Sequence, residues 1–300
     1  MQAERESMRP ADTGVMAILV LYQRSLAQAE SWPALARALR TPRSDAGGEF
    51  SLRHVLVYDN SAAPLPVDDL AALGSECTYV HDAGNGGTAA AYARGARLSA
   101  ALGIEWLLLL DHDTALPADL LTRASAALAN AGPRVPAALL PWVMHGATVV
   151  SPARITRFGS IRPLDQRASL RSAWRLTGIA SGSFVRRSAF DACGPLPEGL
   201  WLDYVDHWIF ANLSRRSEPV ALIDCRIQHD LSVRNAHQLS DARLRSILKA
   251  ESGFVRSLPR LARLMHPWRL LARAARMAGR RRDHALTILR HALGVRAEND

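Results

Sequence analysis

Four apolar runs of strand length, each leading into a segment with helical spacing or a polar turn, dominate the first 130 residues. They are VMAILVLYQR (Val15–Arg24), LRHVLVYDNS (Leu52–Ser61), the short ECTYVHDAGNGG segment and IEWLLLLDHD. A strand with one wet face alternates apolar and polar residues, whereas these runs are nearly continuous, so they belong to strands covered on both faces. SWPALARALR reads as the first intervening helix, with Ser31 able to cap it and Pro33 in its first turn. TAAAYARGARLSAALG reads as a second, and another is expected from Pro117. Strands alternating with helices predict a doubly wound α/β domain around a mostly parallel sheet. Ligands in such sheets bind beyond the carboxyl ends of the strands. Asp59, the Asn85–Gly87 turn and the pair Asp111/Asp113 all fall at those ends.

Order weakens from Pro133 to Trp174, where Pro133, Pro136, Pro141, Pro152 and Pro163 predict loops and short strands. It returns as a strand through Phe184–Val185, helices at Arg187–Ala192 and around Asp206–Ser214, and a late strand in PVALIDCRIQHD ending at His229 and Asp230. The expected organisation is a frayed N-terminus (1–13), an α/β half (14–130), a second half of the same domain (131–238) and a helical extension (239–300).

That extension is the basic part of a chain with net charge +9 and pI near 10.4. Lys249 is the only lysine, and Phe254 to Arg282 holds nine arginines and no acid, interleaved with leucines and Trp268. The pattern is that of a basic amphipathic helix, or a helix pair broken at Pro267. An anionic membrane surface is the partner expected for it, with a merely solvated helical cap as the next reading and nucleic acid as the third. Cys77, Cys193 and Cys225 are too few and too scattered for a disulfide framework or a zinc site. No apolar run reaches the roughly 18 residues of a membrane span, and the start lacks the core of a signal peptide, so a cytoplasmic protein, peripheral on the inner membrane face, is expected.

A strand that runs four leucines into Asp111 and Asp113 places two carboxylates at a sheet edge. Paired carboxylates hold a hard cation such as Mg²⁺ or Mn²⁺ and leave positions open for phosphate oxygens. Two other readings compete: Asp113 or Thr114 could cap the next helix, or the strand and D-x-D could open a haloacid-dehalogenase-like phosphatase site. Against the latter, Ala115 stands where that class has Thr or Val, and Lys249 lies in a surface helix instead of a site. In GLWLDYVDHWIF, Asp203 and Asp206 are spaced to share one face if the segment is helical, where mutual repulsion would favour a general base. The competing reading is a solvated helix start. His229 is a candidate metal ligand at a strand end.

Taken in order, these segments resemble the family 2 glycosyltransferases, and within them the bacterial rhamnosyltransferase-like branch, over roughly Val15 to Asp230. ILVLYQR and VLVYDNS are similar to the family's first two strands, NGGTAAAYARG to its N-x-G-x-A-x-A-x-N-x-G pattern, and LLLLDHDT to its D-x-D strand. ASGSFVRRSAFDACGPLPEGLWLDYVDHW is the most specific match. The resemblance implies a GT-A fold and an inverting, metal-dependent sugar transfer, with dTDP-L-rhamnose as donor and a glycan or lipid-linked glycan as acceptor in cell-surface polysaccharide synthesis. It implies that Asp59 reads the nucleotide base, Asn85, Gly87 and Asp111 hold the nucleotide-sugar, Asp113 and His229 hold the metal, and Asp206 is the catalytic base. Residues 14–130 then form the nucleotide-sugar half and 131–238 the acceptor half. Asp203, Arg186 and Trp208 are candidates for acceptor contact or support, and Arg186 or Arg187 for neutralising the leaving diphosphate. The chain departs from the pattern at Ala93, Trp208 and Asn212, where the family has Asn, Glu and Arg. A UDP-sugar donor, or an inactive glycosyltransferase fold that binds nucleic acid or carbohydrate, are the alternatives.

Overall fold

Strand β1 (Gly14–Leu21) shows why the first half of the chain must be layered. Val15, Ala17, Leu19 and Leu21 enter one apolar cluster, while Met16, Ile18 and Val20 enter another. Successive side chains of a strand point to opposite faces, so an all-apolar strand needs cover on both. The computed structural model, which describes residues 13–41, 48–165, 175–229 and 239–294, supplies that cover. Strands β2 (Ser51–Asp59), β3 (Cys77–His81) and β4 (Trp106–Asp111) join β1 in parallel, in the order β3-β2-β1-β4. Helices α1 (Trp32–Arg40), α2 (Val67–Ala71), α3 (Gly87–Ala101) and α4 (Leu120–Ala129) connect or follow them. Leu35 of α1 and Leu120 and Ala124 of α4 close one face; Ala91, Tyr92 and Ala96 of α3 close the other. Helix α3 lies so near β1 that a Cβ on Gly95 would sit 2.1 Å from Ile18 Cδ1.

Neither capping role considered from the sequence is present. Ser31 has helical dihedrals, so its side chain does not reach the free amides of α1, and its hydroxyl is buried without a partner. Helix α4 begins at Leu120 with Asp119 at the cap position, which removes the capping role considered for Asp113 and Thr114.

The second half contributes β5 (Ala138–His145), β6 (Thr148–Ser151), β7 (Ala153–Ile155), β8 (Ile161–Pro163), β9 (Leu176–Thr177) and β10 (Ser183–Arg186). Helices α5 (Arg187–Ala192) and α6 (Val205–Arg215) and strand β11 (Val220–Gln228) complete it. The main sheet runs β11-β5-β10-β4-β1-β2-β3, with β6 alongside β5, and β8-β7-β9 form a small separate sheet. The sheet is mainly parallel, but β10 is antiparallel to both β4 and β5. Strand β5 corrects the expectation of loops and short strands: seven of its eight residues are buried. Its Pro141 falls where the pairing with β11 shifts register between Leu222 and Arg226, so the missing N–H breaks no regular ladder.

Helices α7 (Asp241–Arg256), α8 (Arg260–Ala278) and α9 (Arg282–Ala292) form the C-terminal part. Pro267 lies inside α8, so the expected break is displaced to Ser257–Pro259. Phe254 and Val255 of α7 pack into the same cluster as Tyr92 and Phe210, while Leu244, Leu248, Leu270, Ala274 and Ile288 form a second core among the three helices. The three cysteines are free thiols. Among the described residues no helix is long and apolar enough to cross a membrane. Most of the segment read as frayed, and Asp230, lie outside the described residues.

Candidate functional site

Asp111 ends β4 at the carboxyl edge of the sheet, and two residues later the chain reaches Asp113. Thr114 then makes an isolated antiparallel bridge to His229, which follows β11 and donates its backbone N–H to Met144 of β5 at 3.0 Å. Two strand ends distant in sequence are thereby fixed against each other. One ligand atom from each of Asp111, Asp113 and His229 lies within 4.8 Å of the others. His229 Nδ1 and Asp113 Oδ1 are 3.6 Å apart, and both are buried without a hydrogen-bond partner. Two orphaned polar atoms facing each other across that gap fit a shared cation, and a carboxylate–imidazole set suits Mn²⁺ or Mg²⁺.

The same place concentrates negative charge. Burial first, and then the Asp113 carboxylate, push the Asp111 carboxyl above the ordinary aspartate range; His229 opposes them, while Asp206 adds a smaller push and Ser181 a smaller pull. Ser181, fully buried at the turn before β10, donates its hydroxyl to Asp111 Oδ2 at 3.2 Å. The Tyr92 hydroxyl of α3 is also buried here, and burial together with Asp111 and Asp206 keeps it protonated.

Asp206 sits in the first turn of α6, near its positive end. Its Oδ1 accepts from the backbone N–H of His207 at 2.7 Å and its Oδ2 from that of Ala180 at 3.3 Å. Asp203 does not share this face. The chain passes through Tyr204 in the left-handed conformation (φ +63°) before α6 begins at Val205, which turns Asp203 away. Its carboxylate takes a two-pronged ion pair from Arg243 of α7, one arm 2.7 Å long. The expected helical pairing of Asp203 with Asp206 is therefore replaced by a tie between the C-terminal helices and the loop that leads into α6.

Asp59 ends β2 as expected but is fully buried, with Oδ1 accepting from Ser61 N–H and Oδ2 from the Tyr79 hydroxyl. Asn85 adopts the left-handed region (φ +52°) within a turn organised by Asp82. Gly87 has φ +71°, donates to Asn60 Oδ1, and packs so closely that a Cβ would sit 2.2 Å from the Trp201 carbonyl oxygen. Arg186 and Arg187 correct the sequence reading. Because β10 runs antiparallel to β4, Arg186 pairs with Trp106 at the opposite edge of the sheet from Asp111, and Arg187 binds Glu105 and Asp191 there. Trp208 is a core side chain, and the Asn212 amide donates to the Trp208 carbonyl, so both departures are absorbed in packing. Ala93 is half-buried on α3, one residue after Tyr92.

A cavity of about 760 Å³ opens beside the triad, lined by Arg24, Glu30, His112, Asp113, His145 and His229. Ser181, Tyr92, Arg243 and Asn60 were not singled out from the sequence, although all but Arg243 lie within motifs that were.

No family model matches the chain, and no curated protein sequence matches it. Solved structures do. S. aureus TarS residues 1–349 in complex with UDP-GlcNAc matches with a TM-score of 0.55 at 13% identity, covering 94% of this chain and 80% of that one. The structure of S. aureus TarS gives 0.51 at 14%, and GalNAc-T7 with UDP, GalNAc and Mn²⁺ gives 0.53 at 15%, each over 92% of this chain. The chain spans 55% of the length of those last two proteins. At such identity the likeness is one of fold, and that fold is GT-A.

Proposed function

We propose that the protein is an inverting, divalent-metal-dependent glycosyltransferase that takes its sugar from a nucleotide diphosphate donor. The observation that carries the reading is the convergence of Asp111, Asp113 and His229 at one sheet edge of a GT-A fold, with Asp206 held by Ala180, the neighbour of the Ser181 that braces Asp111. Asp113 and His229 would hold the cation, whose chemistry is to offset the charge of a departing diphosphate. Asp111, braced by Ser181, orients the sugar-nucleotide; Asp59 and the Asn85–Gly87 turn define the nucleoside end. Asp206 accepts the proton of an acceptor hydroxyl as that oxygen attacks the anomeric carbon, and its two backbone N–H contacts fix the carboxylate for the transfer. A single displacement inverts the anomeric configuration.

The motif pattern favours dTDP-L-rhamnose as the donor and a glycan or lipid-linked glycan as the acceptor. A UDP-sugar is the second reading, supported by neighbours bound to UDP-GlcNAc and UDP. Transfer measured with each radiolabelled donor against extracted lipid-linked glycans separates them. Asp206→Asn removes the base and leaves donor binding in place, so transfer falls by about 100-fold or more with donor affinity unchanged; near-normal transfer would remove Asp206 from the role.

A further inference from the structure

Helix α8 carries apolar residues on both of its sides. Ala262, His266, Leu270 and Ala274 face inward and are buried. On the outside, Leu261, Leu264 and Trp268 repeat at i, i+3, i+7, with Leu264 70% and Trp268 66% exposed. The neighbouring helix α9 repeats the spacing: Ala285 and Ile288 are buried while Leu286, Leu289 and Leu293 are exposed, Leu293 by 64%. An inward stripe is what a helix on a domain needs; a second, outward stripe on each of two packed helices has no partner among the described residues.

The surrounding charge is of one sign. Phe254 to Gly294 contains ten arginines and a single acid, Asp283. Arg269 and Arg273 turn inward to the buried Glu251, at 3.4 and 2.8 Å. Arg260, Arg263 and Arg276 of α8 and Arg282 and Arg290 of α9 are exposed and join no ion pair among the described residues. We infer that the outward face of α8 and α9 is a docking surface for an anionic lipid bilayer, with the leucines and Trp268 entering the headgroup boundary and the arginines meeting lipid phosphates. A second copy of the chain is disfavoured, because it would set arginine rims against each other. Nucleic acid is disfavoured because phosphate contacts have no use for an apolar stripe. The helices lie on the membrane, since none is apolar enough to span it. This goes beyond the sugar-transfer reading and does not depend on it.

The test is co-sedimentation of the full chain with vesicles of phosphatidylcholine alone and with vesicles part-substituted with phosphatidylglycerol, without nucleotide or acceptor. The native chain and Asp206→Asn bind the anionic vesicles alike and leave the neutral ones in solution. Leu264→Ser with Trp268→Ser, both at exposed positions and checked by thermal melting, weakens binding by about tenfold or more. Arg282→Gln and Arg290→Gln, each four residues from the exposed Leu286 of α9, weaken it about fivefold apiece. The inference is overturned if the native chain sediments with neither vesicle or if the apolar double variant binds as well as native. It is equally overturned if light scattering shows a native dimer that the double variant dissociates, or if duplex DNA displaces the native chain from the vesicles.

Discussion

Replacing Arg243 by alanine tests whether the C-terminal helices hold the loop that leads into Asp206. The Asp203 side chain is 11% exposed and its partner 30% exposed, joined by two contacts. Removing the guanidinium leaves a nearly buried carboxylate without a counter-charge, and breaking a buried pair from one side costs about 3–5 kcal/mol. Water reaches the Arg243 side of this pair, which lowers the expected loss to about 2–3 kcal/mol. For a chain of this size that corresponds to a fall in Tm of roughly 3–5 °C. Asp203 precedes the left-handed Tyr204 and the first turn of α6, so the loss also loosens Asp206 and lowers kcat. Melting curves for Arg243→Ala, Asp203→Ala and the double variant form a cycle, in which the double variant is less destabilised than the sum by at least about 1 kcal/mol. A fall of under about 1 °C for Arg243→Ala, or strict additivity, would refute the reasoning.

Gly87→Ala places a Cβ against the Trp201 backbone and is expected to destabilise by about 2–4 kcal/mol, whereas Gly103→Ala, with φ +68° and open space around it, loses only about 1 kcal/mol in denaturant melts. Asp111→Asn removes a repelled, half-buried carboxylate, so the ion-free protein melts higher at neutral pH. The sign of the pH effect follows from the raised carboxyl: the folded state holds the Asp111 proton more tightly than the unfolded chain does. That stability is present below the ordinary aspartate value and lost as pH rises through the elevated one, so Asp111→Asn flattens the decline in Tm above about pH 4. A decline identical in both proteins would assign it elsewhere.

The parts of the fold written in local pattern were legible. The continuous apolar run through Leu110 dictated a doubly covered strand, and the carboxylates after it had to emerge at its end. His229 was legible for the same reason. Direction was not: FVRR marks a strand, but nothing in it says that the strand runs against β4, and that reversal carries Arg186 away from Asp111. Spacing suggested a helix through Asp203, yet the left-handed Tyr204 delays it. Pro141 hid β5 because proline rejects regular pairing, while the irregular register with β11 accepts it. Ser181 and Arg243 act through partners 70 and 40 residues away, and that separation leaves no local trace.

The central claim is that Asp113 helps a divalent cation hold a nucleotide diphosphate at the end of β4. Thermal stabilisation by dTDP, UDP and GDP, each with and without Mg²⁺ or Mn²⁺, on the native chain and on Asp113→Ala tests it without any acceptor. Saturation at about 100 times Kd adds about 2.7 kcal/mol. The account predicts a rise in Tm that needs the cation, is larger for dTDP than for UDP, and vanishes in Asp113→Ala. No response to any nucleotide, or a response that survives without metal or in Asp113→Ala, would contradict it.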